Sequence, residues 1–313
     1  MNILCAIYLS FFILSGCVTG PDVKDPIDVL PPSEDFHALL GTWNADGTKI
    51  LFQHDLRDGN TFMLNMLWVA DLATGARYPV FGGQSLNPDW SKDEERILFH
   101  SNSAPSIVYT FDVPGQKLIK LTGSDSPNDT DDLRHNYSAR WSPDNEKILF
   151  TTGNNKGVGV VIMNRDGSDA DIVVPGGLYG NWFPDGQHVV YIGGDTTQVQ
   201  GRRNQMYMSS VDGGNRVKLT DLPNTMYIGS PAVSPDGRRI AFMHQTLPGN
   251  IDIHILELQT GRVERLTYLR EGAYRPVWHP DGHSILFSAN IYNASRLYLI
   301  DINTREITAV FPE

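Results

Sequence analysis

Cysteine is almost absent from this 313-residue chain, which holds only Cys5 and Cys17. Both fall in or at the edge of the one long apolar run, residues 1–16, so neither a disulfide nor a cysteine-bound metal is expected to hold the folded part together. Basic side chains are also scarce: 25 Lys and Arg stand against 36 Asp and Glu, a formal net charge of −11. That balance disfavours nucleic acid and anionic lipid surfaces as partners and suits a basic protein or a cationic ligand. No nucleophile elbow, phosphate-cradling glycine loop, His-Glu-x-x-His helix or dinucleotide fingerprint occurs. No cofactor is therefore expected.

What is present is a repeat. Six times an aromatic or apolar anchor leads into an Asp-Gly-type turn and a short β-branched and aromatic run. Trp141-Ser142-Pro143-Asp144-Asn145 precedes Ile148-Leu149-Phe150, and Trp278-His279-Pro280-Asp281-Gly282 precedes Ile285-Leu286-Phe287. The anchors Trp43, Trp90, Trp141, Trp182, Val233 and Trp278 are spaced by 47, 51, 41, 51 and 45 residues. Within each interval the Pro-Asp-Gly turn, a third strand, a Thr-Gly or Asp-Gly turn and a closing Leu-Thr pair, as at Leu219-Thr220, mark out four strands. Such a unit cannot bury its own apolar faces, so the prediction is an all-β fold, a six-bladed β-propeller of four-stranded antiparallel blades over residues 36–313. The anchors are predicted to wedge between blades. Val233 is expected to leave a looser contact or one filled from elsewhere. Blades one and six each supply all four of their own strands, so no strand exchange is expected to latch the ring.

Residues 1–16 end at Leu14-Ser15-Gly16-Cys17, the lipobox pattern of a bacterial lipoprotein signal peptide, although residues 1–17 contain no Lys or Arg. The pattern implies cleavage before Cys17 and lipidation of that cysteine. Two or three acyl chains, at about 0.8 kcal/mol per buried CH₂, make a firm membrane anchor. Residues 17–35 then read as the lipidated cysteine and a proline-rich tether. Val18, where an Asp would favour inner-membrane retention, points to the outer membrane facing the periplasm. The propeller is expected to be monomeric.

The Trp-Ser-Pro-Asp-Gly turns and the Ile-Leu-Phe runs after them resemble those of the TolB-type propeller, a six-bladed periplasmic domain, across residues 36–311. About 18 residues of tether stand where TolB proteins carry an N-terminal α/β domain. The resemblance implies an envelope protein or peptide as partner. Related repeats occur in oligogalacturonate lyases, which implies a second reading: a glycan-active enzyme with a His-bound divalent metal neutralising a uronate, and an Arg or Tyr drawing the α-proton.

A site is expected on the face opposite the Pro-Asp-Gly turns. Candidate ligand-binding residues there are Tyr137, Tyr179, Tyr227 and Tyr274 entering the first strands, Arg140 and Arg275 close behind, and His54 and His244 at equivalent ends of second strands. With His100 and His135, the last two are also the only plausible metal ligands. Asp125, Asp129, Asp131 and Asp132 crowd one long loop without the spacing of a calcium loop, and Arg202 and Arg203 lie in another. The repeated turn aspartates read as turn formers.

Overall fold

The structure, a computed structural model, describes residues 37–58, 61–83, 85–103, 105–123, 135–154, 157–194, 205–222, 225–246, 250–270, 272–291 and 294–311. The signal segment, Cys17, the tether, the Asp125–Asp132 run and Arg202 and Arg203 lie outside the described residues. Among these described residues, twenty-four strands form six four-stranded antiparallel sheets, each built from four consecutive strands. This is the expected six-bladed propeller. The first strand of each blade lines the central channel: His37–Trp43, Ser85–Trp90, His135–Trp141, Leu178–Trp182, Thr225–Val233 and Tyr274–Trp278. The fourth strands face outward, and every residue of Val217–Lys218 and Ile307–Ala309 is exposed.

The apolar run after each turn makes the second strand, and its Ile-Leu-Phe core is buried between sheets; Ile50, Leu51, Phe52, Ile148, Leu149 and Phe150 are all 0% exposed. The turns themselves follow one design. Ser142 donates to Asp144 Oδ1 at 2.6 Å, Asp144 Oδ1 accepts the Glu146 N–H at 3.0 Å, and Ser142 Oγ accepts the Lys147 N–H at 2.8 Å. These donors, Ser142 first, hold the Asp144 carboxyl below its ordinary range. Asn145 takes φ 63° and Glu94 φ 60° where the other four blades place glycine. Ser91-Asp93 and Ser234-Asp236 repeat the arrangement.

The anchors wedge between blades. Trp182 Nε1 donates to the Arg140 carbonyl of the preceding blade at 3.3 Å, and Trp278 Nε1 to the Ala232 carbonyl at 3.0 Å. Across the ring closure, Trp43 meets His279, the residue after the previous blade's anchor, edge-on at 4.5 Å. At blade five the anchor is only Val233, and the residue after the previous anchor, serine in three other blades, is Phe183. It is buried among Ile228, Ile240 and Phe242 in the cluster that also takes Val233. A large neighbour thus fills the space of the missing indole.

Among the described residues blades six and one each consist of four consecutive strands, and apolar side chains close the ring. In blades two, four and five the Leu-Thr pair after the outer strand binds back to the third strand: Leu266 N–H reaches the Ile253 carbonyl at 2.8 Å, and Thr267 Oγ1 accepts the Ile253 N–H at 2.9 Å. Blade six keeps the first bond, from Val310 N–H to the Leu297 carbonyl at 3.0 Å, but Phe311 stands where the threonine would. Its ring lies 5.1 Å from Phe52 of blade one, with the Arg77 guanidinium 5.1 Å above it.

Candidate functional site

Every inner strand carries a bulge three residues before its anchor, visible as a shift of register against the second strand. The residue there is left-handed in all six blades without being glycine: Leu40, Asn87, Ser138, Tyr179, Ser230 and Arg275, with φ between 47° and 56°. L-residues avoid this region unless their surroundings impose it, and such strain gathers at sites that aim a side chain. These six form a ring across the channel. From the ring to the turns runs a cavity of about 400 Å³, opening among the exposed turn residues Ala45, Lys92, Pro184 and Pro235. This cavity therefore opens on the turn face, which the sequence did not single out.

The ring end is crowded and charged. Arg275 reaches from blade six to blade two and donates to Asn87 Oδ1 at 2.5 Å. Arg140 donates to the Ala139 carbonyl at 2.8 Å and the Asn87 carbonyl at 3.5 Å. Burial, and then the like charge of Arg140, holds Arg275 below its ordinary pKa, where it is still a cation. Asp89, one position before the blade-two anchor, accepts the Trp141 N–H at 2.7 Å. Burial pushes its carboxyl up to about 6 against the pull of Arg140 and two backbone donors. Tyr137, Tyr179 and Tyr227 make a chain of edge contacts at 6.1 and 6.5 Å. All three rings are partly buried. Burial raises the pKa of Tyr137 and Tyr227, with Tyr179 adding to both.

Five sequence candidates, Tyr137, Arg140, Tyr179, Tyr227 and Arg275, therefore come together. Tyr274 turns toward its own loop: a Cβ on Gly272 would sit 2.8 Å from its hydroxyl. His54 and His244 lie one strand back from the channel and are 6% and 5% exposed. His54 packs edge-on against Trp68 at 5.5 Å, and His244 against His254 at 4.9 Å. Burial, then His254, pushes His244 down to about 4. His100 is buried, its Nδ1 without a hydrogen-bond partner, and burial followed by the charges of Arg275 and Arg140 pushes it down to about 3. His135 is exposed. The four histidines belong to four different blades, and among the described residues no three His, Cys, Asp or Glu side chains converge as a metal site.

Sequence reasoning missed Asn87, Asp89 and Asn181. Asn181 donates across the channel wall to the Pro231 carbonyl at 3.0 Å. Part of the signal was available: counting back three and one residues from each anchor isolates channel-facing positions, and Asn87 alone of the six left-handed residues is of a type that tolerates that conformation.

A family model described as the TolB beta propeller domain matches residues 188–312. The structure resembles that of a putative TolB from Agrobacterium tumefaciens, with a TM-score of 0.65 at 20% identity over 80% of this chain and 89% of that one. The chain carries a TolB-like six-bladed propeller. This propeller is also similar to an oligogalacturonate lyase from Vibrio parahaemolyticus, with a TM-score of 0.60 at 15% identity over 89% of this chain and 79% of that one, a likeness of fold alone. Among curated relatives, the Tol-Pal system protein TolB of Francisella tularensis subsp. mediasiatica is 28% identical over 35% of this chain and 25% of its own length. The uncharacterized peptidase YuxL of Bacillus subtilis is 25% identical over 72% of this chain and 31% of its own. The chain thus spans a third or less of these curated relatives.

Proposed function

We propose that this protein is a lipid-anchored cell-envelope propeller that binds a protein or peptide partner through the Tyr137, Tyr179, Tyr227, Arg140 and Arg275 end of its channel. One observation carries the reading. Three partly buried tyrosines and two arginines gather where the repeat has no use for them, and Tyr and Arg supply large contact area and charge-assisted hydrogen bonds at interfaces. The likeness to TolB proteins supports an envelope address and a protein partner. Lipidation at Cys17 and the outer-membrane placement belong to the same proposal and rest on the sequence pattern.

Partner capture tests it. In-cell crosslinking, pull-down and mass spectrometry of the wild type should return a dominant envelope protein. Tyr137→Ala, Tyr227→Ala and Arg275→Ala should weaken that capture while thermal unfolding stays cooperative. Undiminished recovery from all three would sink the proposed face. The glycan-enzyme reading needs three or four ligands meeting in the channel, and the described histidines do not supply that convergence.

A further inference from the structure

Arg275 and Arg140 pose a problem that the tyrosine face does not solve. Both line the cavity that opens on the turn face, both converge on Asn87, and neither makes an ion pair among the described residues. A guanidinium taken out of water is costly unless it is paired and its donors are met. Here Arg275 has one amide oxygen, and Arg140 has two backbone carbonyls, one of them at 3.5 Å. The nearby carboxylate, Asp89, attracts Arg140 and accepts the Trp141 N–H, but among the described residues it forms an ion pair with neither guanidinium. In a protein of net charge −11, this is a local cationic spot enclosed by apolar walls, among them Pro88, Ala232, Pro276 and Val277.

We propose that the central channel, entered from the turn face, binds a carboxylate group between Arg275 and Arg140. The planar fork of arginine matches a carboxylate in two-point contact. A cavity of about 400 Å³ takes the carboxylate with a small body attached, such as the last residues of a peptide or a small organic acid. A single negative charge suits the site better than a phosphate dianion, because Asp89 already stands on the wall. The idea rests on the reading that Arg140 and Arg275 belong to a binding site, but it uses the opposite entrance from the tyrosine face.

The channel-lining Trp141, Trp182 and Trp278 make tryptophan fluorescence the readout. The full chain is titrated with N-acetyl-Gly-Gly-Ala, with its C-terminal amide and with propionate. The peptide acid should saturate the signal and the amide should not. Propionate binding as tightly as the peptide assigns the site to small acids, and weaker propionate binding assigns it to a chain terminus. Arg275→Gln should weaken binding at least tenfold. Asn87→Asp, which supplies Arg275 with an internal carboxylate, should abolish binding in a folded protein even if Arg275→Gln fails to fold. Equal affinity for acid and amide, no saturation by either acid, or an Asn87→Asp variant that binds like wild type would overturn the proposal. Failed titration alongside retained partner capture would reject the channel and leave the tyrosine-face reading standing.

Discussion

At the turn end of the channel the blades share one design: an anchor, a Ser-x-Asp or related hydrogen-bonded turn and a buried Ile-Leu-Phe run. Three residues away, at the ring end, the backbone still repeats, but the side chains are Leu40, Asn87, Ser138, Tyr179, Ser230 and Arg275. Repetition holds the ring together, since each blade must present the same surface to its neighbours. Where the backbone repeats but the residue type does not, packing is no longer what selects the residue. Asp89, Arg275 and His100 are gathered there, and burial is the leading cause of the shift in each, whereas at the turn aspartates the hydrogen bonds outweigh it.

That contrast is easiest to break at the wedges. Trp278→Ala should cost about 3–5 kcal/mol in denaturant unfolding, because it leaves a cavity and removes the bond to Ala232. Val233→Trp alone should overpack against Phe183 and cost about 1–3 kcal/mol. Combining it with Phe183→Ser, which restores the small neighbour of other blades, should recover much of the loss as a measurable coupling. Independent effects of the two changes would reject the compensation between blades four and five.

At the ring end the sign of the pH dependence separates two groups. Asp89 has a raised pKa, so between about 4 and 6 the folded state binds more protons and stability falls as pH rises. Asp89→Asn keeps an acceptor for Trp141 and should gain roughly 3 kcal/mol above pH 7, with little gain near pH 4. His100 has a lowered pKa, so its contribution is whole above pH 6.5 and fades as pH falls toward about 3. His100→Gln should flatten the acid limb of the stability curve. Matching pH profiles for the two variants would contradict the assignment.

Smaller effects probe the closure and the tyrosines. Phe311→Ala should cost about 1–3 kcal/mol, since the ring is partly exposed yet bridges blades six and one. Limited proteolysis should then cut first at that seam. Gly229→Ala should cost under about 1 kcal/mol, yet change the near-ultraviolet tyrosine signal, because its new Cβ meets the Tyr227 hydroxyl. An unaltered spectrum would mean that Tyr227 is not held over Gly229.

The propeller was legible because anchor, turn and apolar run recur at a steady interval, and each has a local physical cause. The filling of the blade-five gap was legible as a need but not as Phe183, since the partner sits on another blade. The tyrosine and arginine cluster was legible in part, through its place at the starts of inner strands. The bulge was not, because no glycine marks it: six non-glycine residues take a left-handed conformation that only the closed ring imposes. The same bulge leaves the open cavity on the turn side, so Asn87 and Asp89 escaped attention while the buried His54 and His244 drew it.

The most direct test places a photo-crosslinking phenylalanine analogue at Tyr137 and, for comparison, at Ile172 on an exposed outer strand, and irradiates living cells. If the non-repeating end of the channel holds the partner, the Tyr137 position gives a discrete adduct that disappears with Arg275→Ala, and the Ile172 position gives none. Adducts of equal yield at both positions, or a Tyr137 adduct indifferent to Arg275, would contradict the account.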